Sequence, residues 1–283
     1  SQAFLPALLS GVHSTLEILF SVWLIRRLVK TSYPFERTRD LGLFAGVTAL
    51  FAPTISATTS TLGACSTGFV PWESFFSEWL IWWAGDAMGA LIVTPFILTW
   101  FQPPRKPISL KQWAKGIPLF ILLAGVIFLA TEDPSKNTEL APYYFGYLTI
   151  PITVAIVFQL GQRGATLATL LTAVSAIARI FSGHSFLTSN PQQAALMIQS
   201  YLALLNITTL MLAAVLAERE HMKEAAREST AQLELAVHAV QMGTWNWDIP
   251  NNTIQWSEEI EATLGAVRGS PEETREAYYE HIH

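Results

Sequence analysis

Apolar residues dominate the first three quarters of the chain in long runs, and polar residues punctuate them at short intervals. A membrane-spanning helix needs about 20 mostly apolar residues. Seven runs qualify, at roughly 3–25, 41–63, 75–101, 116–131, 144–161, 164–182 and 196–217. The fifth and sixth are separated only by Gln162 and Arg163, which predicts a tight helical hairpin. Beyond 217 the pattern changes. From Glu218 to Met242 there is no Gly or Pro, and Met222, Ala225, Ala226, Leu233, Ala236, Val237 and Val240 recur among charged residues. That predicts an amphipathic helix continuing the last span, with weak coiled-coil character. Gly243 ends it. Thr244 to Asp248 alternates with the period of a strand, Pro250-Asn251-Asn252 signals a turn, and Thr253 to Trp256 is a second strand. Two short helices are expected after Ser257 and Ser270. The expected fold is therefore an all-α polytopic bundle of about seven spans, a linker helix and an incomplete α+β unit. The corresponding segments are 1–217, 218–242 and 243–283.

Composition separates the same parts. Of the 283 residues, 51% are hydrophobic and 14% charged, against roughly 25% charged in an ordinary soluble domain. Residues 1–217 carry a balance of +3 and residues 218–283 one of −8, giving the net −5. Neither part is strongly basic, so a nucleic-acid partner is not expected. Cys65 is the one cysteine, which excludes an internal disulfide framework. The chain is expected to be a segment cut at both ends. It opens directly on an apolar run, and the strands and short helices at its end cannot close a core alone.

The basic residues also alternate in side. Connections after the first, third and fifth spans hold Arg26, Arg27, Lys30, Arg37, Arg39, Arg105, Lys106, Lys111, Lys115 and Arg163, while the alternate connections hold only Lys136. The positive-inside rule places the rich side in the cytoplasm. Residue 1 is then outside, and the last span exits into the cytoplasm at Glu218. The outer connections are short, so an external signal must act on the bundle itself.

Candidate chemistry sits inside the spans. In the third, Trp79, Trp82, Trp83 and Asp86 share one helix face. Gly85 and Gly89 form a GxxxG pair that lets another helix approach, and Pro95 can kink the helix. An intramembrane carboxylate is a functional candidate by default. Asp86 can fix a neighbouring helix, take part in sensing or coupling, or relay a proton. The tryptophans are packing anchors or a ligand cage. In the first span His13 and Glu17 lie four residues apart on one face, and they are too few ligands for a metal. The second span carries Gly42, Gly46 and a hydroxyl-rich stretch from Thr54 to Thr61. Such hydroxyls can bond back to helix carbonyls and either pack or line a polar pocket. No catalytic residue or metal site is expected, and no cofactor can be named. A retinal Schiff base needs a lysine inside a span, and none is there.

The stretch Met242-Gly243-Thr244-Trp245-Asn246-Trp247-Asp248, with Trp256-Ser257 and Leu264-Gly265, resembles the opening of a PAS domain. The apolar part resembles the bacterial membrane-associated sensor domain of the first type, the MASE family. Its matching stretches are Ser14 to Glu17 with Trp23 to Arg27, Trp82 to Gly89 with Val93-Thr94-Pro95, Gln159 to Ala165, and Leu212 to Arg219. The run Trp-Trp-x-Gly-Asp-x-x-Gly is the most specific. Further spans usually precede these in the family. The resemblance implies a sensory input in the bacterial inner membrane, with the C-terminus cytoplasmic. The implied output is a histidine kinase or a cyclic-di-GMP enzyme placed after PAS domains.

On this reading His13, Glu17, Trp82, Trp83, Gly85, Asp86 and Gly89 are candidates for sensing or coupling. Glu218, Arg219, Met242, Gly243, Trp245 and Trp247 are candidates for transmission. The expected partners are the lipid bilayer, a second copy of the chain, and a small-molecule or protein signal. The competing reading is a transporter or proton-coupled carrier using Glu17 and Asp86, with Pro53, Pro95 and Pro151 in or near spans.

Overall fold

The structure is a computed structural model. It describes residues 18–28, 37–103, 107–130, 141–181, 191–240, 243–251 and 253–257, with Thr15 and Phe35. The chain divides into two compact units, Ser1–Arg219 and Glu220–His283.

In the first unit, 18–28 is helical. Helix α1 (Thr38–Gly46) runs through a π-helical turn, Val47–Phe51, into α2 (Ala52–Ser66). The wide turn directly precedes Pro53, which has no N–H to give. There the Ala52 N–H reaches the Val47 carbonyl instead. Helix α3 (Phe75–Phe101) matches the expected third span, and α4 (Leu110–Ala130) starts one and a half turns earlier than the expected fourth. Helix α5 (Ala141–Phe181) contains a break at Gly161, whose φ of 58° and ψ of −138° only glycine adopts readily. The chain folds back there. A Cβ on Gly164 would sit 2.8 Å from Leu160 Cβ and 2.9 Å from the Ile156 carbonyl. Ile156 and Leu160 share a buried cluster with Ala168 and with Leu123 of α4. Residues that far apart on one straight helix would not meet. Each arm of the hairpin rises about 27–30 Å at 1.5 Å per residue, near the thickness of a hydrocarbon core. Helix α6 (Pro191–Ala239) packs its apolar part against α3 and α5.

Five helices among the described residues are long and apolar enough to cross a membrane: Thr38–Ser66, Trp72–Phe101, Leu110–Leu129, Gly146–Arg179 and Gln192–Ala239. The expectation was seven. The first expected span, 3–25, lies largely outside the described residues, and the fifth and sixth both fall within α5.

The surface is apolar where a soluble protein's would be polar. Leu50, Phe51, Ile55, Ile121, Phe128, Phe158, Val174, Leu204 and Ile207 are all exposed. Thr149, Thr153, Thr166, Thr169, Thr172, Asn206 and Thr209 are buried. An exposed apolar surface of this extent needs lipid or protein against it.

In the second unit, α6 extends to Ala239. Strands β1 (Trp245–Asp248) and β2 (Thr253–Trp256) form an antiparallel hairpin in which Trp245 is opposite Trp256 and Asp248 opposite Thr253. The Asp248 carboxylate accepts hydrogen bonds from the Asn251 backbone N–H (3.3 Å) and side-chain amide (2.8 Å), which closes the turn. The two short helices expected after Ser257 lie outside the described residues.

Candidate functional site

Helix α3 carries most of the candidates. Asp86 lies near its middle, half-buried, and has no hydrogen-bond or ion-pair partner among the described residues. A role in fixing a neighbouring helix by such a bond is therefore not seen there. Trp79 stacks on Trp83 with centroids 6.1 Å apart, and on Phe76 at the same distance. Its indole N–H donates to Thr58 Oγ1 at 2.9 Å. Trp79 thus joins α3 to α2, whereas Phe76 and Trp82 are exposed. The hydroxyls of α2 bond back as expected, Thr58 to the Thr54 carbonyl at 2.6 Å and Thr59 to that of Ile55 at 2.9 Å. Thr54 does the same to Leu50.

The glycine pairs do not bring helices into close approach within the described residues. A Cβ on Gly42, Gly46 or Gly89 would meet nothing within 4 Å, and one on Gly85 would meet only the Gln199 amide, at 3.4 Å. Close approach occurs instead at Gly116, where a Cβ would lie 2.6 Å from Leu160 Cδ1, and at Gly164.

The face of α3 toward α6 is polar at regular intervals. Gln192 donates to Glu78 at 2.5 Å, Gln199 lies over Gly85, and Asn206 donates to the Leu91 carbonyl at 2.8 Å. Positions on both helices rise together, so α3 and α6 run parallel. The steps of seven along α6 fit side-by-side packing of nearly aligned helices. Asn206 is 1% exposed. The Gln199 carbonyl oxygen is buried and has no partner among the described residues. On the same helix the Tyr201 hydroxyl donates to the Gly146 carbonyl at 3.1 Å and is also hydrogen-bonded to Thr149, tying α6 to the start of α5.

One end of the bundle gathers the basic connections. Gln162, at the hairpin tip, donates to the Phe35 carbonyl. Arg163 donates to the carbonyls of Thr99 (3.4 Å) and Gln102 (3.3 Å) and lies 5.5 Å over the Trp100 ring. It thus caps the C-terminus of α3, where a cation is favoured. The Glu218 carboxylate accepts from the Thr38 N–H (3.3 Å) and hydroxyl (2.9 Å) at the opening of α1, where an anion is favoured. The last apolar helix is thereby tied to the first turn of α1. Arg219 is exposed, as is Trp245, while Gly243 and Trp247 are half-buried. His13, Glu17 and Met242 lie outside the described residues, as does any pairing of His13 with Glu17. No group of three metal-ligating side chains occurs among the described residues.

Several of these positions escape a reading by composition. Gln192, Gln199 and Asn206 are spaced by seven within an apolar run, and that spacing is the signal that marks them. Glu218 stands out only as the first charge after the run, which says nothing of its bond to Thr38.

The chain matches the MASE1 family over residues 1–220. No curated protein and no solved structure matches the chain.

Proposed function

The chain belongs to the MASE1 family, a membrane sensory domain of signalling proteins, and we propose that its bundle passes a stimulus along α6 to a cytoplasmic effector. The observation that carries this reading is the run of α6 as one helix from Pro191 to Ala239. It begins beside Glu78, meets the middle of α3 through Asn206, and is bonded to α1 at Glu218. A displacement of α3 or α1 therefore has a direct mechanical route to the helix that leaves the apolar unit.

The basic ends favour a cytoplasmic placing of the Arg163 and Glu218 end by the positive-inside rule. Gln162 bonds Phe35, Arg163 bonds Gln102 and Thr38 bonds Glu218, contacts that support the alternation of seven passes in a bacterial inner membrane. Residues 243–283 are then the start of a PAS domain, supported by the β1–β2 hairpin. The output is a histidine kinase or cyclic-di-GMP enzyme. Such effectors work as pairs, and the exposed Met222, Leu233 and Val240 suit a second copy. Asp86, unpartnered among the described residues, is the residue on which the stimulus acts.

The test is to fuse residues 1–283 to a diguanylate cyclase reporter and measure cyclic-di-GMP. Asp86→Asn is expected to change output several-fold, and Glu78→Gln by less than half as much, because Glu78 sits at the end of α3 and its amide replacement can still bond Gln192. Equal effects, or none, would overturn the assignment of Asp86. Proton or solute flux in reconstituted vesicles, abolished by Asp86→Asn, would favour the carrier reading instead.

A further inference from the structure

Proline has no N–H, so a proline within a helix leaves the carbonyl four residues earlier without its usual donor. Helix α3 holds Pro95 in its interior, and the carbonyl it releases belongs to Leu91. In a hydrocarbon environment no water can take the missing donor's place, so the group needs a protein partner. The Asn206 side-chain amide supplies one at 2.8 Å. Both residues are 1% exposed. The bond is enclosed by apolar layers, with Ile92, Leu202 and Ala173 in one and Leu91, Leu210 and Ala214 in the other.

The two interior prolines of the α1–α3 region are thus handled differently. Before Pro53 the helix widens into the π turn Val47–Phe51 and adjusts within itself. At Pro95 the deficit is met from another helix. We infer that Pro95 and Asn206 form a matched docking pair, in which Asn206 is the positioning residue that fixes the rotation and depth of α6 against α3. The neighbouring amide contacts agree in register. Gln199 lies over Gly85 and Gln192 bonds Glu78, but each is set on a side chain or on open helix surface. Leu91 is the one point on this seam where backbone chemistry on α3 demands a donor. The relevance of the pair to signalling rests on the sensory reading above; the docking itself does not.

The test is a double-mutant cycle read by crosslinking in membranes of the full chain, with Cys65→Ala as background. Glu78→Cys and Gln192→Cys place a reporter pair at the far end of the same seam, joined by a short bismaleimide. Asn206→Leu is expected to lower the crosslinking rate roughly 3- to 30-fold, the equilibrium shift that corresponds to one interhelical hydrogen bond in a membrane. Pro95→Ala restores an N–H that can bond Leu91 within α3. In that background Asn206→Leu is expected to change the rate less than twofold. An unchanged rate on Asn206→Leu with Pro95 in place, or the same loss with and without Pro95→Ala, would overturn the pairing. Should Asn206→Leu alone fail to accumulate in the membrane, Pro95→Ala combined with it is expected to restore accumulation, and failure to do so counts against the pair. Reporter output is not used, so this result and that of the cyclase fusion can fail independently.

Discussion

The contact of α4 with the α5 hairpin and the contact of α3 with α6 hold the same bundle by opposite means. The first is dry and close. Gly116 and Gly164 leave room for Leu160 and Ile156, and Leu123 and Ala168 complete an aliphatic layer. The second is spaced by amides and ends on a released carbonyl. In lipid, apolar side chains gain little by meeting one another rather than acyl chains, so association depends on fit and on polar bonds. The dry contact depends on fit and tolerates no added volume. The polar seam adds a few directional bonds to its buried layers, and the bond of Asn206 to Leu91 sets its register.

Three substitutions separate the two contacts. The largest effect is expected from Gly164→Ala. Its Cβ would stand 2.8 Å from side chains and 2.9 Å from a backbone oxygen, so the hairpin must shift, at a cost of about 1–3 kcal/mol. Thermal unfolding in detergent should show a lower midpoint, and an unchanged midpoint would mean the contact is not close-packed. Next, Gln199→Leu removes a buried carbonyl oxygen that has no partner among the described residues. Stability should stay level or rise by about 1 kcal/mol. A clear loss would show that Gln199 has a partner essential to the seam. The smallest effect is expected from Gly89→Ala, since its Cβ meets nothing within 4 Å. The change should stay within about 0.5 kcal/mol, and a larger drop would reveal a helix seated on the GxxxG face.

Much of the architecture is legible in the sequence. The run from Phe75 to Phe101 has the same bounds in sequence and structure, the reversal is marked by Gln162 and Arg163 although only the structure puts the break at Gly161, and the helix beyond Glu218 and the β1–β2 hairpin follow from their periods. The candidate site was legible only as a set of residue types. Asp86 was prominent because a carboxylate in an apolar run is costly. Asn206 carries no charge, so a reading by charge does not single it out, and only its spacing from Gln192 and Gln199 marks it. Arg163 was read as a topological charge, yet it also caps α3 and lies over Trp100.

The sequence by itself determined which segments are apolar helices and where the polar helix begins. Those properties are sums over local composition, and lipid and water respond to composition directly. Only the tertiary structure decided that Asn206 meets the carbonyl freed by Pro95, that Glu218 binds the start of α1, and that the tight glycine contacts are at Gly116 and Gly164 rather than at Gly85 and Gly89. These depend on the rotation of each helix about its axis and its depth beside a neighbour. Such quantities are fixed by pairs of helices together, and no single segment's pattern contains them.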